Sequence, residues 1–155
     1  MAEQQKKLKI YFDACCLNRP FDDQTEERIR IETEAIILIF NHVRLGDIDM
    51  IGSDILHLEI DKTPDPFRKL KLKIFTTYFS STIKVNEEIT KRAFYLQTKK
   101  LKGFDAFHLA CAESAHAKIF LTTDDEILKI SNRIKKELKV EVENPVKWLQ
   151  EYFLK

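Results

Sequence analysis

Four acidic side chains, far apart along the sequence, have the residue types and settings that metal-dependent chemistry requires. These candidates are Asp13, Glu59, Asp105 and Asp124. Asp13 ends a short apolar alternation over residues 8–12, where a carboxylate without compensating partners is costly to bury. Asp124 follows a second apolar run, within residues 118–123, in the same way.

The surrounding pattern predicts that the four acids meet at one edge of a sheet. In open parallel sheets, ligands bind outside the carboxyl ends of the strands, where Asp13 and Asp124 are expected. Asp105 falls in the first turn of a predicted helix after Gly103, and Glu59 falls on the helix after the second strand. Taken singly, Asp105, Asp124 and Glu59 are also ordinary helix-start or surface acids, whereas Asp13 is the hardest to explain in this way, so the prediction depends on the set.

A cleft that holds four carboxylates needs a compensating charge. Two unit charges about 4 Å apart cost about 1–4 kcal/mol at a wet or half-buried site. A helix N-terminus offsets only about 0.3–1 kcal/mol of this. Oxygen ligands without cysteine or histidine suit Mg²⁺ or Mn²⁺, and such an ion can activate water for attack on a phosphodiester.

The elements that must position these acids alternate between strands and helices. Strands are predicted at 8–12, 47–53, 118–123 and 140–143, and a brief apolar stretch at 82–85. Helices are predicted at 26–45, 54–61, 67–79, 86–101, 104–117 and 124–138, and after Asn144-Pro145. A polar loop is expected after Asp13. This order predicts an α/β three-layer sandwich with a central, mostly parallel sheet flanked by helices, as a single domain over 1–155 with a flexible tail at 1–7.

Composition limits the classes of function. The net charge is +1, so nucleic-acid binding would have to use local basic patches. No apolar run reaches the length of a membrane span. The three cysteines show no pairing or zinc-binding spacing, which favours a reducing, cytoplasmic location and argues against a structural zinc site.

Basic and polar residues near the acids are candidate substrate contacts. Lys99, Lys100 and Lys102 directly precede Asp105, where they could hold a phosphate backbone, although a solvated helix face is the simpler interpretation of such a cluster. Arg19 is another candidate phosphate contact. Asp125 is a candidate reserve metal ligand.

Histidines and cysteines are given lesser roles. His108 and His116 are eight residues apart, which is not the spacing of a metal-binding pair, so both are expected to be packing or surface residues. Cys15 and Cys16 lie beside Asp13, and small buried residues are their expected role.

Sequence motifs in a fixed order surround the four acids. They are "IYFD" ending at Asp13, "SDILHLE" from Ser53 to Glu59, "FDAFHLACA" with Asp105, "FLTTD" with Thr122 and Asp124, and "ENPVKWL" before the end. In this order and over nearly the whole chain, they resemble the PIN-domain nucleases, the family that includes VapC-type toxin ribonucleases.

The resemblance implies a central parallel sheet and Mg²⁺- or Mn²⁺-dependent hydrolysis of RNA, with the four acids as catalytic and metal-binding residues. It also implies a small antitoxin protein as partner and a homodimer. Where the family usually has Ser, Thr or Asn two residues after the first Asp, this chain has Cys15, a weak hydrogen-bonding group. Asn18 and Arg19 are candidates to supply the missing polar contact.

Other interpretations stay open at this point. The chain could be a weak or inactive PIN-like protein that binds RNA or a protein partner. A receiver-like acidic switch is disfavoured, because the last predicted strand leads to Asn144-Pro145 instead of the lysine that such domains need. A hydrolase that uses Cys15 or Cys16 would be inactivated by thiol alkylation and indifferent to EDTA.

Overall fold

The computed structural model describes residues 7–152, so most of the predicted tail lies outside the described residues. Its strands are β1 (Leu8–Phe12), β2 (Ile48–Ser53), β3 (Phe79–Ile83), β4 (Ile119–Leu121) and β5 (Glu141–Glu143). Its helices are α1 (Ala14–Asn18), α2 (Glu27–Leu45), α3 (Asp54–Asp61), α4 (Pro66–Thr76), α5 (Glu87–Thr98), α6 (Gly103–Ser114), α7 (Asp125–Arg133) and α8 (Pro145–Tyr152).

The five strands form one sheet in the order β3-β2-β1-β4-β5. Every neighbouring pair is parallel, and the helices provide the crossovers that parallel strands require. The predicted α/β class and flanked central sheet are confirmed. Strands β2 and β3 extend the sheet on one side of β1, and β4 and β5 extend it on the other side. The direction in which strands are added therefore reverses between β1 and β4. Open α/β sheets bind ligands at this reversal.

The central strand β1 is the most buried element of the sheet. Ile10, Tyr11 and Phe12 are each 0% exposed, because helices cover both faces of the sheet. Burial of a large apolar side chain contributes about 1.5–3 kcal/mol, so β1 anchors the core. The residue that follows it, Asp13, is consequently held in a fixed place.

Several predicted helix boundaries agree with the structure, and capping residues in the sequence explain where these helices begin and end. α3 spans Asp54–Asp61 as predicted, with the Ser53 hydroxyl accepting the N–H of Leu56 at its start. α2 ends where Gly46 adopts φ 86°, a conformation that glycine takes without a steric penalty.

Other boundaries were wrong. A short helix, α1, replaces the polar loop expected after Asp13, because the Asp13 carboxylate caps it. The helix predicted over 67–79 ends at Thr76, and residues 79–83 form the edge strand β3. The helix predicted over 124–138 ends at Arg133 and a 3-10 turn follows.

Gly52 in β2 lies against the ring of Phe79 on the neighbouring strand. A Cβ atom at position 52 would lie 2.1 Å from Cδ2 of that ring. We expect Gly52→Ala to lower the free energy of unfolding by about 1–3 kcal/mol, because the ring must move within a packed sheet. Urea titration followed by circular dichroism measures the loss. Adding Phe79→Ala should give a double variant that loses less than the sum of the two single losses; additive losses would contradict the clash.

Helix α4 presents an apolar surface to solvent, here called the α4 stripe. It consists of Phe67, Leu70 and Ile74, which share one helix face and are 75%, 61% and 56% exposed. The helix has no acidic residue, and its basic residues are Arg68, Lys69, Lys71 and Lys73. Among residues 7–152, no helix combines the length and apolar character needed to cross a bilayer.

Candidate active site

Asp13 lies at the carboxyl end of β1 and is 4% exposed. Its Oδ1 accepts the N–H of Ala14 at 2.8 Å. Its Oδ2 accepts the hydroxyl of Thr122 at 2.9 Å and the thiol of Cys15 at 3.3 Å. These three donors offset the cost of burying a carboxylate and connect the ends of β1 and β4.

Cys15 occupies the position where the family usually has a hydroxyl or amide, and it takes part in the same network. Besides donating to Asp13, its sulfur accepts the N–H of Thr123 at 3.3 Å. Thr122 supplies the stronger oxygen donor to Asp13. The polar support for this carboxylate therefore comes from Thr122 and Cys15.

Asp124 begins α7 directly beyond β4. Its Oδ1 accepts the N–H groups of Glu126 and Ile127 at 2.9 and 3.3 Å, as an N-cap does. The Thr122 hydroxyl oxygen accepts the N–H of Asp124 at 3.1 Å. Because Thr122 also donates to Asp13, one side chain fixes two of the predicted acids relative to each other.

Asp105 lies in the first turn of α6 and carries the clearest electrostatic signal. Burial, followed by the charges of Asp13 and Asp124, raises the pKa of Asp105 to about 6; Glu59 adds to the rise and His108 opposes it. A shift with these causes requires Asp13, Asp124 and Glu59 each to lie within electrostatic reach of Asp105. The structure thus brings the four predicted acids to the same edge of the sheet.

Glu59 lies in the second turn of α3, with its side chain 27% exposed. Its Oε1 accepts a hydrogen bond from Nε2 of His108 at 2.7 Å. His108 is fully buried, as the packing role predicted for it requires, and in addition its imidazole contacts Glu59 directly. Burial lowers the pKa of His108, but its hydrogen bond to Glu59 and the nearby acids raise the pKa above its ordinary value overall.

Tyr11 is a second residue that the sequence did not single out. Its hydroxyl lies 2.6 Å from Nδ1 of His108 and 2.6 Å from the hydroxyl of Ser53. The available signal was positional: His108 follows Asp105 by three residues on one helix, so both face the same side. Nothing in the sequence indicates that Tyr11 in the core is its partner.

Two of the predicted lysines lie beside the acids. Lys100 and Lys102 line a narrow cleft together with Asp105 and Asp124. Lys99 instead lies 3.8 Å from Glu137 Oε1 and over the ring of Tyr95.

The remaining candidates make contacts away from the four acids. Arg19 Nη2 lies 2.7 Å from Glu32 Oε1, and Asn18 bonds to the carbonyl of Ala14 and to Arg68. Asp125 accepts two hydrogen bonds from Arg28, both at 2.8 Å.

The thiols differ in their suitability for nucleophilic chemistry. Burial raises the pKa of Cys16 well above its ordinary value and that of Cys111 to about 12. A thiol is a nucleophile only as the thiolate, so neither suits that role. Cys15 is committed to Asp13 and Thr123.

The donor chemistry of the acids can be compared with what a metal ion requires. Within residues 7–152, no three His, Cys, Asp or Glu side chains are arranged so that they could hold a metal ion as they stand. Mg²⁺, however, keeps several water ligands and is usually bound through only one or two carboxylates. An all-carboxylate edge where burial and neighbouring charges together raise the pKa of Asp105 fits a hydrated hard cation in both chemistry and charge.

A cavity of about 690 Å³ lies elsewhere, around the beginnings of β4 and β5. Its lining contains ion pairs, including Lys118 with Glu141 at 3.3 Å and Lys147 with Glu143 at 3.5 Å. Cavity size alone therefore does not identify the reactive site. We assign the candidate active site to the edge of the sheet where the four acids lie.

Comparison with known proteins finds similarity in structure alone. No protein-family model and no curated protein matches the sequence. A chain in the structure of VapBC2 from Rickettsia felis bound to a promoter DNA fragment matches with TM-score 0.58 and 14% identity, over 88% of this chain and 98% of that one.

Two further structures match to a similar degree. FitAcB from Neisseria gonorrhoeae gives TM-score 0.58 and 15% identity, over 88% of this chain and 97% of the other. VapBC-1 from nontypeable Haemophilus influenzae gives TM-score 0.56 and 13% identity, over 89% and 98%. At such identities the comparison establishes the fold. The chain therefore has the PIN-like α/β fold that its sequence resembles, shared with the chains it matches in the VapBC and FitAcB structures.

Proposed function

We propose that this chain is a Mg²⁺- or Mn²⁺-dependent endoribonuclease and the toxin of a toxin–antitoxin pair. The observation that carries the proposal is the gathering of acids at the reversal of strand order, where burial, followed by the charges of Asp13 and Asp124, raises the pKa of Asp105 to about 6. A site that holds four mutually repelling acids is destabilising by itself, so a function that uses their charge accounts for it best. The fold shared with the VapBC and FitAcB chains supports the same class of activity.

Each acid has a distinct task in this proposal. Asp13 is the most rigid of the metal contacts, because three donors hold it. Asp105, whose ionised form is disfavoured by burial and by the neighbouring acids, gains most from a cation, and Asp124 and Glu59 complete the set directly or through water. When bound, the metal ion would acidify a water molecule for attack and stabilise the leaving oxygen.

The same edge offers groups for the RNA backbone. Lys100 and Lys102 lie beside Asp105 and Asp124, so their ammonium groups would hold phosphates close to the metal-binding acids. Hydrolysis would leave a 5′-phosphate and a 3′-hydroxyl, as the resemblance implies. Because the net charge of the whole chain is only +1, the attraction for RNA phosphates would come from this local lysine patch and not from the surface as a whole.

A protein partner is part of the proposal. The names VapBC2 and FitAcB each join two protein components. The exposed α4 stripe of this chain is a surface that a partner protein could cover. We propose a small antitoxin as that partner and the cytoplasm as the location. The homodimer that the resemblance implies stays a prediction.

The proposed activity can be tested by metal removal. We expect the purified chain to cut generic single-stranded RNA with Mg²⁺ or Mn²⁺, to lose at least about a hundredfold in rate with EDTA, and to recover when Mn²⁺ is restored in excess. Gel analysis of end-labelled RNA measures this. Cleavage that resists EDTA but stops on thiol alkylation would instead support a cysteine hydrolase and contradict the proposal.

A second candidate function is a weak or inactive PIN-like protein that binds RNA or a partner. The observation in its favour is Cys15, whose thiol is a poorer hydrogen-bond donor to Asp13 than a hydroxyl would be. Calorimetric titration with MnCl₂ separates the two. The inactive protein would release no binding heat, whereas the nuclease would bind Mn²⁺.

A further inference from the structure

A buried series of hydrogen bonds runs beneath the acids and ends on Glu59. It begins where the Ser53 hydroxyl caps α3 and continues to the Tyr11 hydroxyl at 2.6 Å. Tyr11 contacts Nδ1 of His108 at 2.6 Å, and Nε2 of His108 reaches Glu59 Oε1 at 2.7 Å. Side chains from β1, β2 and α6 thus converge on one carboxylate of α3.

The direction of the last hydrogen bond follows from the chemistry of the groups. An ionised carboxylate only accepts, so Nε2 of His108 must donate to Glu59. The other ring nitrogen is occupied by Tyr11, so the imidazole cannot turn without breaking two hydrogen bonds. His108 and Tyr11 are both 0% exposed, so water does not compete for these bonds.

Glu59 itself differs from its partner in exposure. Its side chain is 27% exposed while the imidazole is 0% exposed, so the carboxylate spans from the core to the surface. The charge of Glu59 also contributes to the raised pKa of Asp105, so the Glu59 carboxylate lies on the same side of the sheet edge as Asp105. A free Glu side chain would sample many rotamers, and the bond to His108 restricts them.

We infer that His108 is a positioning residue that, with Tyr11 behind it, holds the Glu59 carboxylate in place to contact the metal ion. This inference rests on the proposed function, because it assumes that Glu59 contacts metal. Hydrogen-bond partners that orient metal-binding groups typically change metal affinity by about 10- to 100-fold when they are removed. The Nε2–H of a buried histidine needs an acceptor whatever its role, so the test has to separate support of the Glu59 carboxylate from simple burial of the imidazole.

The test is calorimetric Mn²⁺ binding to the full chain, with fold integrity checked by thermal unfolding in EDTA. We expect His108→Leu to weaken Mn²⁺ binding by about tenfold. His108→Gln retains an N–H donor and should recover most of the affinity. In a Glu59→Gln background, His108→Leu should have no more than about a twofold effect, because the carboxylate that it orients is gone.

The outcomes separate this inference from the proposed function. If the wild-type chain binds no Mn²⁺, both fall. If it binds Mn²⁺ and His108→Leu leaves the affinity unchanged, or has the same effect with and without the Glu59 carboxylate, the inference alone is overturned. Should His108→Leu fail to fold, Tyr11→Phe, which removes only one hydroxyl, is expected to weaken binding a few-fold; unchanged affinity in that variant would also overturn the inference.

Discussion

Replacing Asp105 with asparagine should abolish metal-dependent RNA cleavage and, in the same protein, stabilise the metal-free fold. We expect the cleavage rate to fall by about a hundredfold or more, since the amide removes a charge that the metal ion would need. In EDTA, the free energy of unfolding should rise by about 1–2 kcal/mol at pH 7.5, after allowance for solvent screening of a half-buried group. Urea titration and an end-labelled RNA assay on one preparation measure both.

The pH dependence of this stabilisation has a definite sign. The pKa of Asp105 is about 6 in the folded chain, against an ordinary value of 3.8. Between these values the folded state binds more protons than the unfolded state, so rising pH destabilises the wild-type fold relative to the variant. The gain of Asp105→Asn should therefore be absent below about pH 4, grow to about pH 6 and stay constant above it.

Asp49→Asn is the matched control, because Asp49 lies near the start of β2, at the opposite end of that strand from the acids. It should change neither cleavage nor the pH dependence of stability by a comparable amount. If Asp105→Asn cuts RNA at the wild-type rate, the assignment of Asp105 to the site is wrong. If it destabilises the fold in EDTA, the proposed concentration of negative charge is wrong.

Replacing Glu32 with glutamine should strongly destabilise the fold. The Glu32 side chain is 2% exposed and its Oε1 lies 2.7 Å from Nη2 of Arg19. Its Oε2 accepts from Asn144 at 2.6 Å and from Arg28 at 3.4 Å. Loss of the charge leaves Arg19, itself 19% exposed, without its main partner, and removing one member of a buried ion pair costs about 3–5 kcal/mol. Because Gln retains an acceptor oxygen, we expect about 2–4 kcal/mol.

Thermal or urea unfolding checks this value, with Glu34→Gln as the control. Glu34 lies two residues along the same helix and is exposed, so its replacement should change stability by less than about 0.5 kcal/mol. A double variant, Arg19→Met with Glu32→Leu, should lose less than the two single variants together, because no unpaired charge stays buried. Equal losses for Glu32→Gln and Glu34→Gln would contradict the role of this pair.

The sequence predicts those elements whose signals are local. α3 and α5 begin at Ser53 and Asn86 because each side chain accepts an N–H of the first turn, and Gly46 ends α2. β3 escapes detection because it is an edge strand whose centre, Ser80, Ser81 and Thr82, is exposed and polar. α1 escapes because five residues are too few to show a helical period.

In the candidate site, too, some residues can be proposed from the sequence and others cannot. Asp13, Asp105 and Asp124 can be proposed from the sequence because strand ends and helix starts mark where they lie, and Glu59 can be proposed because it falls on the helix after the second strand. Their partners cannot, because the contacts of His108 reach 49 residues back to Glu59 and 97 residues back to Tyr11. The imidazole looks like an ordinary residue of an amphipathic helix until the fold places these groups around it.

The α4 stripe has a practical consequence for work with the purified chain. At low ionic strength the lysines beside Phe67, Leu70 and Ile74 keep copies apart through their like charge. At molar salt the screening length falls to about 3 Å, and three large apolar side chains are then left to adhere to one another. We therefore expect the light scattering of a concentrated stock to rise when salt is raised from low to molar concentration.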